Sequence, residues 1–144
     1  MKVSEIKISY TNEVDEVIKV LGSSEVYQVL KSNWDMDTIE LQEEFKLLLL
    51  NQANQVLGIK SLFKGGVINC SVDVILIMSL VLKTNASGLI ISHNHPSGNL
   101  KASESDKRIT SKIKECCELF DVRLLDHIIM AKNSYLSFAD EGIL

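Results

Sequence analysis

Proline occurs once in these 144 residues, and no Gly- or Ser-rich stretch is long enough to act as a linker or a disordered tail. With 46% hydrophobic and 24% charged residues, the chain is expected to fold nearly end to end as a single domain around one sizeable core. Cysteine is scarce too. Cys70, Cys116 and Cys117 form an odd set with two adjacent members, a poor disulfide framework without the Cys-x-x-Cys spacing of structural zinc, and one suited to a reducing cytoplasm. Long apolar runs are missing: residues 46–50 and 72–82 are too short to span a bilayer and carry polar or charged members, so no membrane segment is expected. The opening Met1-Lys2-Val3-Ser4-Glu5-Ile6-Lys7 alternates charged and apolar residues and lacks the apolar stretch of a secretory signal, which points to a cytoplasmic protein. Excess positive charge is absent as well. A net charge of −4 and a pI near 5.4 argue against a broad electrostatic footprint for nucleic acid.

What is present is a series of alternating elements. Ile6, Ile8 and Tyr10 share one face of a half-buried edge strand over residues 3–10, which could pair across a homodimer. Val14, Val17, Ile18 and Leu21 have helical spacing that Gly22 ends, and Ser23-Ser24 can cap a second helix carrying Val26, Val29 and Leu30. Residues 43–50 and 55–63 flank a polar connection of hairpin length. Ser71 and Asp73 open a helix with apolar residues on both faces (Ile75, Met78 and Leu82 against Val74, Ile77 and Leu80), so deep burial is expected. Residues 88–91 read as a strand covered on both faces, residues from Ser103 to Phe120 as an amphipathic helix, 122–131 as a buried strand and 135–138 as a short last one. Strands alternating with helices indicate an α/β or α+β layer fold, a mixed sheet packed by helices.

Chemistry concentrates in Ser92-His93-Asn94-His95-Pro96-Ser97-Gly98 and Ser103-Glu104-Ser105-Asp106, which hold two of the three histidines. If the strand runs on to His95, residues two apart project from one face, and both imidazoles reach a common point. Pro96 cannot donate to a sheet ladder, so the pair lies at the strand's carboxyl end, where α/β sheets place their sites. Asp106 falls in the first turn of the next helix. Two imidazoles, one carboxylate and an open position for water describe a catalytic zinc site, in which zinc lowers the pKa of that water to about 7. The plain alternative is that Ser103-x-x-Asp106 only caps a helix. No Pro-Cys-x-x-Cys pair exists, which excludes a zinc nucleobase deaminase.

The run His93-x-His95-Pro96, six residues, Ser103, two residues, Asp106 resembles the metal motif of the JAMM (MPN+) metalloprotease family at every position. The string from His93 to Gly98, with Leu125-Asp126-His127, Ser137-Phe138 and Glu141-Gly142, narrows the resemblance to the bacterial RadC-like branch, over residues 22–144 and preceded by a strand and short helix in 1–21. It implies an MPN/JAB-like fold and zinc held by His93, His95 and Asp106. It further implies Ser103 near a developing oxyanion, an upstream glutamate that activates water, and a protein or peptide substrate. That glutamate stands two residues before a phenylalanine, which selects Glu43 in Glu43-Glu44-Phe45. Alternation sets Glu43 on the face of Phe45 and Leu47, and Glu44 on the face of Lys46, suited to a solvated or paired carboxylate. His127 is read as a core histidine in preference to a partner of the ligands, since a third imidazole is not required. The chain departs from the branch at Ser71-Val72-Asp73-Val74, where His-Pro-Arg is usual, and at Asn51, where Asp is usual; the helix-hairpin-helix region of longer RadC-like proteins is not expected here. The alternative function is a RadC-like zinc-holding interaction module in DNA repair or recombination complexes.

Overall fold

Four consecutive leucines after Glu-Phe-Lys suit a strand covered on both faces, and in the computed structural model, which describes residues 1–64 and 72–144, all seven residues of β1 (Glu44–Leu50) are buried. The turn after it is held by Asn51, whose Oδ1 accepts from the backbone N–H of Ala53 and Gln55, and by Asn54 in the left-handed region at φ 58. The chain then returns antiparallel as β2 (Val56–Lys64). Helix α1 (Ser23–Ser32) precedes this hairpin; α2 (Val74–Lys83), β3 (Gly88–Asn94), α3 (Glu104–Glu118), β4 (Arg123–Met130) and β5 (Tyr135–Ser137) follow it.

The sheet order is β2-β1-β3-β4-β5. β3 runs antiparallel to β1 and parallel to β4, with α3 as the crossover between the parallel pair, so the sheet is mixed and the fold α+β. Helices cover both faces. Phe45, Leu47 and Leu49 pack with Leu89, Ile91, Ile77, Val81, Ile113 and Cys117 on one side. Leu48, Leu50, Ile90, Ile128 and Met130 pack with Val26, Leu30, Trp34 and Ile39 on the other. Fully buried side chains such as Leu47, Ile91 and Ile128 each contribute on the order of 2 kcal/mol by leaving water.

Four expectations are corrected. The strand over residues 3–10 and the helix from Asn12 to Leu21 do not form: Ile6, Ile8, Val14 and Val17 are exposed, and only residues 18–20 join the sheet, through Val56 N–H to Ile18 O (2.8 Å) and Val20 N–H to Asn54 O (3.1 Å). Apolar periodicity needs a face to bury against, and none is offered there; a dimer built on that strand has no strand to use. Helix α2 is not deeply buried. Ile77, Met78 and Val81 meet the core, while Ile75 is 81% exposed beside Leu82, Leu119 and Phe120, because the sheet covers only one side of the helix. Asp73 caps α2, its side chain accepting from Leu76 N–H at 3.2 Å; Ser71, expected to cap it, lies outside the described residues. Phe120, expected in the buried stripe of α3, is half-exposed, and Ile113 and Cys117 carry that stripe.

Candidate metal centre

β3 continues to Asn94, so His93 and His95 leave the chain on one face, the face covered by α3. Directly after them the chain turns. Gly98 N–H bonds His95 O at 2.9 Å across Pro96-Ser97, with Pro96 at the second turn position and Gly98 at φ 77. This turn brings Asn99 O to 2.5 Å from His95 Nδ1. A carbonyl only accepts, so Nδ1 carries the proton and the His95 Nε2 lone pair faces the site.

Asp106 is delivered by the start of α3. Ser103 is the N-cap: its Oγ accepts from Asp106 N–H at 3.0 Å, while Asp106 Oδ2 accepts from Ser103 N–H at 2.8 Å. The capping reading is therefore true and compatible with a second use, since Ser103 Oγ accepts in that bond and keeps its own proton to donate. Burial opposes ionisation of Asp106, yet the His93 and His95 rings beside it and the Ser103 N–H hold its carboxyl well below the usual range. The same contact with Asp106 raises His95, against the effect of burial, with further help from Asn99 and Glu43.

The three side chains converge. His93 Nε2 lies 2.9 Å from His95 Nε2 and 3.3 Å from Asp106 Oδ1, and His95 Nε2 lies 3.6 Å from Asp106 Oδ2. Ligand atoms about 2.0–2.1 Å from a tetrahedral zinc stand about 3.3 Å from each other, and one ligand atom from each of these residues lies within 4.8 Å of the other two. Two imidazole nitrogens and a carboxylate facing one another favour a positive charge between them. His93, His95 and Asp106 can hold a metal ion.

Glu43 and Glu44 separate cleanly. The antiparallel register pairs Phe45 with His93, alternation keeps Glu43 on the face of Phe45, and Glu43 lies near enough to His95 to favour that ring's charged form. Glu44 points to the other face and is buried against Lys46 Nζ at 2.7 Å, with Ser61 donating to the same carboxylate and Lys64 at 3.8 Å. Of the two uses open to Glu44, pairing is the one observed, and Lys46 also lies 5.0 Å from the centre of the Trp34 ring.

Sequence reasoning missed two residues and, for a third, favoured one of two roles that the structure combines. Asn94, fully buried on the opposite face from the histidines, accepts from Glu44 N–H at 2.7 Å and donates to Ile39 O (2.7 Å) and Gln42 O (2.9 Å), pinning the segment that carries Glu43 onto β3. Strand alternation points Asn94 away from the site, so no local pattern flags it. Thr110 lies four residues after Asp106 on the same helix face, a spacing that could have singled it out. His127, read as a core histidine, is fully buried against Phe138 (ring centres 4.5 Å apart) but also meets His93 Nδ1 at 2.8 Å through Nε2. Burial, with His93 beside it, holds the His127 imidazole well below its ordinary range. Asp126 accepts from Ser137 Oγ (2.5 Å) and from the N–H groups of His127 and Ala139, which fastens the Ser137-Phe138 segment over His127.

A mixed sheet between helices, with His-x-His closing a central strand and Asp in the first turn of the next helix, defines a JAB-type domain carrying a candidate metal site. Residues 4–143 match the RadC-like JAB domain, and the chain belongs to that family. Among its relatives are UPF0758 proteins from Flavobacterium johnsoniae (50% identical over 101 residues, 70% of this chain and 44% of the relative) and Porphyromonas gingivalis (43% over 104 residues, 72% and 46%). A third, from Clostridium botulinum, is 36% identical over 130 residues, 90% of this chain and 56% of the relative. The chain thus spans about half the length of the curated relatives it matches. Among the described residues no helix is long and apolar enough to cross a membrane.

Proposed function

We propose that this chain is a zinc-dependent hydrolase that cleaves peptide or isopeptide bonds. The observation that carries the proposal is the convergence of His93 Nε2, His95 Nε2 and the Asp106 carboxylate, with Glu43 near enough to His95 to influence its ionisation. When bound, zinc supplies a Lewis acid that polarises a carbonyl and eases deprotonation of water. The chain's own residues supply the rest. The Glu43 carboxylate takes a proton from the attacking water and returns it to the departing amine, as general base and then general acid. Ser103 donates its hydroxyl proton to the oxygen on which negative charge develops. The Asn99 carbonyl holds His95 Nδ1–H, so the ring cannot turn its protonated nitrogen into the site. The peptide and isopeptide classes come from likeness to JAMM enzymes.

The test is zinc content and affinity of the purified protein beside His95→Ala and Asp106→Ala, with hydrolysis of a peptide and isopeptide panel by wild type and Glu43→Gln. One zinc per chain in wild type, lost in both ligand variants, is expected. Glu43→Gln should keep zinc and lose about 100-fold or more of the rate. Zinc binding without turnover on any substrate would support the other reading, an interaction module that keeps its metal for structure.

A further inference from the structure

The directions of a chain of hydrogen bonds behind the metal centre follow from donor and acceptor chemistry. The Asp106 main-chain carbonyl only accepts, so the Thr110 hydroxyl, 2.6 Å away, directs its single proton there. With that proton used, Thr110 Oγ1 acts as acceptor towards His127 Nδ1 at 2.7 Å, and Nδ1 carries the His127 proton. His127 is fully buried, an environment for a neutral ring with one proton. Its Nε2 is then bare and accepts from His93 Nδ1 at 2.8 Å. The His93 proton therefore sits on Nδ1, and its lone pair lies on Nε2, the atom facing His95 and Asp106.

We propose that Thr110 and His127 are positioning residues that fix His93 in the Nδ1–H tautomer and keep its Nε2 bare for a divalent cation, a role that rests on reading His93, His95 and Asp106 as metal ligands. The chain starts at the backbone of one ligand, Asp106, and ends on the ring of another, His93. It crosses from α3 to β4 to β3, so the turn of helix that presents the carboxylate also sets the proton on the imidazole. With His93 and His127 each neutral, no other arrangement satisfies each donor with an acceptor once the Thr110 proton is placed. Thr110→Val keeps the shape of the side chain but leaves His127 Nδ1–H without an acceptor in a dry site. The neutral ring then moves its proton to Nε2 and donates to His93 Nδ1, which forces the His93 proton onto Nε2, where it blocks the metal. Thr110→Ser keeps the hydroxyl and the chain.

The experiment uses the full chain, ¹⁵N-labelled and metal-free, with the tautomers of the three histidines read from long-range ¹H–¹⁵N spectra and zinc affinity measured by chelator competition. In wild type and Thr110→Ser, His93 and His127 are expected as Nδ1–H forms. In Thr110→Val both are expected as Nε2–H forms, with zinc affinity lower by about 10- to 100-fold. An Nε2–H form of His93 in wild type overturns the proposal. So does a Thr110→Val variant whose tautomers, or whose zinc affinity, stay with wild type to within about twofold. A wild type that binds no zinc refutes the metal reading itself and removes the role with it, whereas loss of affinity confined to Thr110→Val beside a zinc-binding wild type supports both.

Discussion

Replacing Asn94 by alanine removes three hydrogen bonds at once: buried ones to Glu44 N–H and the Ile39 carbonyl, and a part-buried one to the Gln42 carbonyl. Each such bond contributes about 1 kcal/mol net, so the bonds alone account for about 3 kcal/mol. Glu44 and Ile39 are nearly fully buried, so water does not easily replace the lost amide, and unsatisfied groups add to the cost. A loss of about 3–5 kcal/mol is expected, a large share of the roughly 5–15 kcal/mol that holds a domain folded. At about 3 °C per kcal/mol for a chain of this size, Tm should fall by roughly 10 °C or more. Urea unfolding of the metal-free proteins measures this directly. Because the Asn94 side chain leaves β3 on the face opposite the histidines, folded Asn94→Ala should still bind zinc. Hydrolysis should fall about tenfold or more as the segment carrying Glu43 loses its anchor. A stability loss under about 1 kcal/mol, or zinc affinity falling in step with the rate, would refute the assignment of Asn94 to the anchoring of Glu43.

Two further outcomes follow from buried charges. Lys46→Met strands the Glu44 carboxylate, which is 2% exposed, and should cost about 3 kcal/mol, the low end for a broken buried pair because Lys64 remains at 3.8 Å; adding Glu44→Gln should recover most of that, and an unfolding midpoint unmoved by Lys46→Met would contradict the pairing. Burial raises Asp126 above the usual carboxylate range, so the folded state binds its proton more tightly than the unfolded chain, and its contribution to stability is fully present below about pH 4 and lost as pH rises through the raised value. The wild-type urea midpoint measured relative to Asp126→Asn should therefore decline across that window, and a rising difference would show the sign to be wrong.

The candidate metal ligands were legible because they are local. His93, His95 and Asp106 occupy one strand, one turn and one helix start, and strand alternation, the proline stop and the capping pattern place all three from nearby residues. Glu43 was singled out only through the family resemblance, as the glutamate two residues before Phe45; alternation adds that it shares the face of Phe45, which pairs with His93. Strands and helices from Ser23 onward followed their periodicity. The first 21 residues did not, since Ile6 and Ile8 alternate as a strand would but remain exposed.

By itself the sequence determined which residues can bind a metal, which face of each strand they occupy and the alternation of elements that makes a mixed sheet. Tertiary structure decided which periodic segments find a surface to bury, why α2 covers the core with one face only, and that Glu44 is neutralised by Lys46. It also decided the proton positions behind the site, since Thr110, His127 and His93 lie on three elements and meet only through the parallel pairing of β3 with β4 and the packing of α3 across them. The physical reason is range: periodicity and capping act within a few residues, while the partner of a buried polar group is whichever atom the assembled fold brings within 3 Å of it.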